Sequence, residues 1–183
     1  GEATKVDIGM LDCQLALLEN AVMRYQVSGT APGPLGARHP SITPFEAYKT
    51  KDGYIIISAG NDGLFAKLAE ALENPGWAED PDYSSNDNRN KHVEKLKIEM
   101  ESVLTTHTTS HWIEVLDKFG VPSGPINDIG QAATHPQTIA RNMIVSVDDP
   151  ITGPMKVAGN PIKISGFEDP ETVSYTHLTL PTT

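Results

Sequence analysis

The sequence predicts a mixed α and β fold in which amphipathic helices pack on a small sheet. The apolar run 54–57 predicts a buried strand over 54–58. The Asp52-Gly53 pair just before this run favours a hairpin turn, which makes 44–48 the partner strand. Apolar residues at helical spacing dominate the segments that follow.

Helices are expected next, from their caps, apolar spacing and stop signals. They lie at 63–73 behind an Asn61-Asp62 cap, at 90–104, and from a Thr109 or Ser110 cap to Gly120. Trp77 and Tyr83 are expected to hold the polar connection between the first two. The later elements are short: helices at 129–133 and 136–141, and strands at 143–147, 155–158 and 162–165.

The segment before the hairpin has a different character. Residues 10–25 predict one helix whose apolar face includes Leu11, Leu15 and Leu18. Because its polar positions are few, we expect it to be largely buried, against something beyond this chain or a second subunit. Residues 28–41 contain three glycines and three prolines, which predicts a connecting loop.

Composition excludes several classes of protein. The 183 residues carry a net charge of -10, which argues against a nucleic-acid partner. No apolar run approaches the roughly 20 residues that span a bilayer, and residues 1–10 do not resemble a signal peptide, so no membrane role is expected. The single cysteine, Cys13, forbids an internal disulfide and fits a cytoplasmic setting. The six histidines are scattered, so no metal site is expected.

Residues 173–183 have no counterpart in the rest of the chain. Their sequence, VSYTHLTLPTT, fits the translation of a common transposon-derived sequencing adapter, with TCT TAT ACA CAT CTG encoding its centre. We expect this tail to be non-native, so that the natural protein continues past Thr172, and we also expect it to start before Gly1.

Short blocks over residues 1–168 resemble, in order and spacing, the class III CoA-transferases, the formyl-CoA transferase-like family. They lie at 1–12 (TG-x-G-Q-x-V-D-V-S-M-x-D in the family), 38–45 (RHP-x-x-x-P-Y/F), 52–62 (DG, three apolar residues, then ND), 80–89 (DPRF-x-T/S-N-x-x-R), 120–127 (GVP-C/A/S-GP-V/I), 135–137 and 161–166. Ala3 and Thr4 replace the glycine and glutamine of the first block.

The resemblance implies an α/β architecture with two domains and two interlocked subunits. A Rossmann-like large domain would be mostly missing from this chain, whose own part would be α+β. Residues 1–42 would be the connecting helix and loop, 43–125 the small domain, and 126–172 the return segment to the large domain.

The resemblance also implies a mechanism. An aspartate attacks an acyl-CoA to form a mixed anhydride, the CoA thiolate then gives an enzyme-bound thioester, and an acceptor acid completes the exchange. That aspartate would lie before Gly1, so no catalytic residue is expected here, and Asp7 and Asp12 are expected to serve at the helix entry. The coenzyme A thioester is a substrate, and no further cofactor is implied.

The loop 35–40 is the candidate substrate site, because a glycine-containing loop near this position closes over the nucleophile in the resembled enzymes. Gly36, Arg38 and His39 are its candidate substrate-binding residues. Arg38 could pair with an acceptor carboxylate and His39 could donate to a carbonyl oxygen, although both could instead only order the loop. The loop lacks the glycine run of oxalate-specific members, which argues against oxalate and formate.

Two other functions remain open. The resembled family also contains α-methylacyl-CoA racemases, which move a proton between an acid and a base. Racemase relatives tend to carry an acidic residue before the Asp52-Gly53 turn, and Lys49, Thr50 and Lys51 stand there instead, which weakly favours a transferase. The third possibility is a non-catalytic α/β binding module.

Overall fold

A computed structural model describes residues 5, 7–163 and 165 of the chain. Its backbone clusters into two compact units, Gly1–Gly124 and Pro125–Thr183. The four-part division expected from the sequence is finer than these two units and stays a prediction. The tail 173–183 lies outside the described residues.

The sheet of the first unit confirms the predicted hairpin. Strand β1 (Phe45–Lys49) pairs antiparallel with β2 (Tyr54–Ser58), and the register joins Phe45 to Ser58 and Lys49 to Tyr54. A third short strand, β3 (Ser123–Pro125), follows β2 in the sheet order. Ile55 and Ile57 of β2 are fully buried, as the apolar run predicts.

Helices cover this sheet, and their bounds follow from local chemistry. They are α3 (Asp62–Ala71), α4 (Asn86–Lys91), α5 (Val93–Leu104) and α6 (Thr109–Phe119), with a 3-10 turn at Pro75–Ala78. Asn61 caps α3 as predicted, since its side chain accepts from the Leu64 N–H. Gly120 ends α6 in the left-handed conformation, at φ +68°.

Two helix predictions need correction. The single helix expected over 90–104 is replaced by two helices. Ser85 caps α4, and the helix is interrupted at His92, which lies between α4 and α5. The cap of α6 is Thr108, whose hydroxyl accepts from the His111 N–H. Thr109, which was expected to cap, instead donates its N–H and its hydroxyl to the Asp52 carboxylate.

The core of this unit lies between the sheet and the helices. Leu68 of α3 and Leu72, the C-cap of that helix, are fully buried, as predicted, whereas Leu64 is only partly buried. Tyr83 is fully buried and Trp77 packs on the core, which confirms that they hold the polar connection. The rest of the cluster consists of Tyr48, Ile55, Ile57, Ala59, Phe65, Ala71, Leu96, Met100, Leu104, Trp112, Leu116 and Val121.

The segment before the sheet forms two helices where the sequence predicts one. It forms α1 (Met10–Leu17) and α2 (Glu19–Ser28), which are interrupted at Leu18. No residue of either helix is buried, and Leu11 and Leu15 are 72% and 51% exposed. No described segment covers the apolar face, so the expected burial against something beyond this chain or a second subunit stays a prediction.

The second unit contains the later elements. Helices α7 (Ile129–Thr134) and α8 (Pro136–Ala140) precede an antiparallel hairpin of β4 (Ile144–Asp149) and β5 (Gly153–Ala158). A capping box, in which Asp128 and Gln131 exchange side-chain-to-backbone bonds, starts α7. The strand expected at 162–165 is not formed at 162, 163 or 165, and residue 164 lies outside the described part.

Two findings bear on the excluded classes of protein. Across residues 5, 7–163 and 165, each helix is too short or too polar to cross a membrane. In the same part of the chain, no three histidine, cysteine or acidic side chains come together as metal ligands could.

Candidate functional site

The candidate loop, residues 35–40, is followed by Ser41 and begins with a tight turn at Gly36. This glycine has φ +64°, and the Arg38 N–H donates to the Leu35 carbonyl at 3.4 Å. A Cβ placed on Gly36 would meet nothing within 4 Å. The glycine is therefore required by its backbone conformation, which other residues adopt only with strain, and not by lack of space.

His39 is fixed to the first strand of the sheet. Its N–H donates to the Phe45 carbonyl at 2.8 Å, and its ring stacks on the Phe45 ring with centroids 5.2 Å apart. The Ser41 N–H donates to Nδ1 of the same ring at 3.2 Å. Because Nδ1 accepts this bond, the proton of the neutral ring lies on Nε2, which is left as a donor.

Arg38 is half-buried. Burial raises the pKa of the Tyr48 hydroxyl well above its usual range, the Glu46 and Glu101 carboxylates raise it further, and Arg38 acts in the opposite direction. Glu46 is paired with Lys97. Within the described part of the chain, none of the ion pairs involves Arg38, so its guanidinium can take a carboxylate from outside.

Two side chains of α4 hold the end of the candidate loop. Nδ2 of Asn86 and Nδ2 of Asn90 both donate to the Ser41 carbonyl, at 2.9 and 2.8 Å. Their Oδ1 atoms accept from Thr43, Asn86 from its N–H at 3.1 Å and Asn90 from its hydroxyl at 2.7 Å. Residues 41–43 are thus tied to a helix more than 40 positions away in the sequence.

Arg89, between these two asparagines, is fully buried and joins three segments. Its Nε donates to the Thr43 carbonyl at 2.7 Å, one Nη to the Tyr83 carbonyl at 2.8 Å, and the other to the Asp62 carboxylate at 2.7 Å. The guanidinium also lies over the Phe65 ring, 4.4 Å from its centroid. Every face of the cation has a partner, which is what permits its burial.

The structure therefore places the three predicted site residues on one short loop at the start of β1. Their contact with a substrate stays a prediction. The roles of Asn86, Arg89 and Asn90 were missed, since Asn86 and Arg89 were used only as part of a family-like block and Asn90 only as the expected start of a helix. The signal that could have found Arg89 is a lone arginine next to the apolar helix starting at Val93.

Asp7 and Asp12 were expected to serve at the helix entry or as its cap, and neither caps α1. The N-cap position of α1 is Gly9, and no side chain bonds there. Asp12 lies in the first turn of α1, where a negative charge is favourable, and both aspartates are exposed. Asp62 behaves as expected at the start of α3, but in addition it binds Arg89.

Comparison with known proteins gives a consistent family. A family model described as CoA-transferase family III matches residues 1–174. The chain is 38% identical over 170 residues to an acetyl-CoA:oxalate CoA-transferase of Acetobacter aceti, covering 93% of this chain and 42% of that protein. It is 36% identical over 153 residues to a succinate–glutarate CoA-transferase of Agrobacterium fabrum, covering 81% and 37%.

A solved structure supports the same grouping. A CAIB/BAIF family protein from Brucella suis superposes with a TM-score of 0.76 at 32% identity, over 90% of this chain and 42% of that one. The mixed helix and strand fold predicted from the sequence is confirmed by this likeness. The chain spans about 42% of the length of the Acetobacter and Brucella proteins.

Proposed function

Since the chain belongs to CoA-transferase family III, we propose that the protein of which it forms part transfers coenzyme A from an acyl-CoA to a small carboxylic acid. One geometric observation supports this most directly. Arg38 is a half-buried cation outside the ion pairs of the described residues, and the ring of the adjacent His39 can donate from Nε2. A carboxylate with a neighbouring carbonyl oxygen is the ligand that such a pair recognises.

The proposed chemistry is a double exchange through an enzyme carboxylate. An aspartate attacks the thioester carbonyl, which forms a mixed anhydride and releases the CoA thiolate. The acid part of the donor leaves when the thiolate attacks the anhydride at the enzyme carbonyl, giving an enzyme thioester. The acceptor carboxylate then attacks that thioester, which forms a second mixed anhydride and releases the CoA thiolate. The thiolate finally attacks the acceptor's acyl carbon and releases the enzyme carboxylate. The coenzyme A thioester is consumed as substrate, and the proposal requires no further cofactor.

The nucleophile is proposed to lie outside this chain. Asp7 and Asp12 are exposed residues at the entry to α1, and neither is proposed as a substitute. The contribution of the chain is then to bind and shield. Gly36 provides the turn, Arg38 binds the acceptor carboxylate, and the Nε2–H of His39 donates to a carbonyl oxygen, while the closed loop keeps water from the anhydride.

The acceptor is proposed to be a small dicarboxylic acid. Two of the relatives are named for oxalate and for succinate and glutarate. The missing glycine run argued against oxalate. The Acetobacter protein, however, is named for oxalate, so it does not support that expectation. A second carboxylate on the acceptor would remain for groups outside this chain once Arg38 holds the first.

A second copy of the complete protein is the proposed partner. The apolar residues of α1 and α2 that no described segment covers support this part of the proposal. A large domain and the interlocked subunit would together bury them.

Residues 173–183 are proposed to be the translation of a sequencing adapter, and sequencing the gene from its source would test this proposal.

The experiment is an exchange assay on the complete protein. Acetyl-CoA and succinyl-CoA are offered with oxalate, glutarate and carnitine, and new acyl-CoA products are identified by mass spectrometry. The proposal expects at least one dicarboxylate to be converted to its CoA thioester. Deuterium uptake at the α-carbon of a 2-methylacyl-CoA, with no CoA transfer to any acid, would show a racemase instead.

A further inference from the structure

We propose that Asn86 and Asn90 are positioning residues, which hold the candidate loop through Ser41 and Thr43 and so fix Arg38 and His39 for substrate. This inference rests on the proposed function, because it assigns a purpose to the same loop. The two asparagines touch no reacting atom in this account. They act through the backbone from which the loop projects.

Two hydrogen bonds hold the carbonyl oxygen of one residue, Ser41. The Ser41 carbonyl accepts from Nδ2 of Asn86 at 2.9 Å and from Nδ2 of Asn90 at 2.8 Å. A carbonyl oxygen has two lone pairs, and both are used here. A peptide plane held by two donors has less freedom to rotate than one held by a single donor, so the exit of the candidate loop is fixed.

The two asparagine amides also accept hydrogen bonds, in addition to donating them. The oxygen of each asparagine amide accepts from Thr43, from its N–H in one case and from its hydroxyl in the other. Each amide therefore bridges Ser41 and Thr43, using both its donor and its acceptor. Arg89 completes the set by donating to the Thr43 carbonyl. One six-residue helix supplies all of these bonds.

Further hydrogen bonds connect this anchor to the site residues. The Ser41 N–H, on the residue that the asparagines hold, donates to Nδ1 of His39. The His39 N–H in turn donates to the Phe45 carbonyl. A shift of Ser41 would therefore break the hydrogen bond that holds the His39 ring through Nδ1, and would move the adjacent Arg38.

A stability role alone would not require this arrangement. Arg89 of α4 already links Thr43, Tyr83 and α3 from a fully buried position. Asn86 and Asn90 are only half-buried and add bonds solely to residues 41 and 43. The extra bonds are thus concentrated at the root of the candidate loop.

The chain provides a matched control. Asn88 lies between the two asparagines on the same helix and is also half-buried. Its Nδ2 donates to the Pro81 carbonyl at 2.9 Å, away from the candidate loop. Asn88→Ala therefore removes the same kind of bond from the same helix without touching Ser41 or Thr43.

The first arm of the test measures the candidate loop itself, by amide hydrogen exchange on the 183-residue chain. In the Asn86→Ala/Asn90→Ala variant, exchange of the Ser41 and His39 amides should rise roughly tenfold, since neither amide bonds directly to an asparagine. Exchange of the Ile55 and Ile57 amides should stay unchanged, which shows that the sheet remains folded. Asn88→Ala should leave the Ser41 and His39 amides unchanged.

The second arm measures kinetics on the complete protein with the best donor and acceptor. The double variant should raise KM for the acceptor acid about fivefold or more, with KM for the acyl-CoA donor within twofold and Asn88→Ala like the wild type. Unchanged exchange at Ser41 and His39 would overturn the inference, as would faster exchange with an unaltered KM for the acid. An inactive wild-type protein would overturn the proposed function instead, and the exchange arm would still decide whether the asparagines hold the loop.

Discussion

The sheet-bearing region and the two N-terminal helices of the same unit are built in opposite ways. The region 43–124 contains a buried apolar cluster, a fully buried arginine and two bridging asparagines, and the polar groups of these three side chains find hydrogen-bond partners within the chain. In α1 and α2, residues of comparable apolarity have no buried member, and Met10 is 87% exposed. One region is self-sufficient, and the other presents a surface.

Different parts of this chain provide its own stability and a surface for assembly. Burial of apolar surface stabilises a fold only when something covers that surface. The sheet-bearing region can gain this free energy alone, whereas α1 and α2 can gain it only from a partner. The candidate loop lies between them, anchored at its end by α4 and continuous at its start with α2.

The largest expected effect is at the centre of the self-sufficient region. Arg89→Met should destabilise the chain by about 3 kcal/mol or more, because the Thr43 and Tyr83 carbonyls and the Asp62 carboxylate lose their donors at once. Urea denaturation measures the free energy of unfolding. Arg24→Met is the control, since Arg24 is an exposed arginine of α2 and should cost less than about 0.5 kcal/mol. Equal losses at the two sites would break the contrast.

A pair of leucines tests the contrast at matched chemistry. Leu68→Ala in α3 removes a fully buried side chain and should cost about 2–5 kcal/mol. Leu15→Ala in α1 removes one that is 51% exposed and should cost less than about 0.5 kcal/mol in this chain. In the complete protein the cost of Leu15→Ala should rise, if a partner covers α1. An equally small cost there would contradict the assembly surface.

The smallest expected effect concerns the hairpin turn and pH. Hydrogen bonds from Thr109, first of all from its backbone N–H, lower the pKa of Asp52 below its ordinary value. A folded-state pKa below the unfolded one stabilises the fold above the unfolded pKa, and this contribution is lost as the pH falls through the folded pKa. The stability difference between the wild type and Asp52→Asn should therefore shrink below about pH 4.

Urea unfolding at several pH values between 3 and 7 measures this effect. Asp117→Asn is the control, since Asp117 is an exposed aspartate of α6. The effect should be modest because Asp52 is exposed. A stability difference that grows on acidification would contradict the assigned direction of the Asp52 pKa.

Much of the sheet-bearing region could be predicted because its signals are local. The Asp52-Gly53 turn, the apolar strand after it and the Asn61 cap each depend on a few adjacent residues. The break at His92 and the transfer of the α6 cap to Thr108 could not, since they depend on bonds made in three dimensions. Thr109 is drawn to Asp52, 57 residues earlier.

The candidate site was predictable only in part, for the same reason. Gly36, Arg38 and His39 could be selected because the family resemblance implies a glycine-containing substrate loop near this position. Their attachment through Asn86 and Asn90 could not, because nothing in the local sequence links residue 41 to residue 90. The single helix expected over 10–25 is divided at Leu18, and its burial against a partner stays a prediction, because an apolar pattern indicates that a face will be covered, but not by which chain.

The most direct test of the central proposal compares two proteins in one assay. The 183-residue chain and the complete protein are each given an acyl-CoA donor and the acceptor acids, and CoA exchange is followed by mass spectrometry. The account predicts exchange by the complete protein and only background exchange by the chain, because the nucleophile is proposed to lie outside it. Exchange above background by the chain alone would contradict the account.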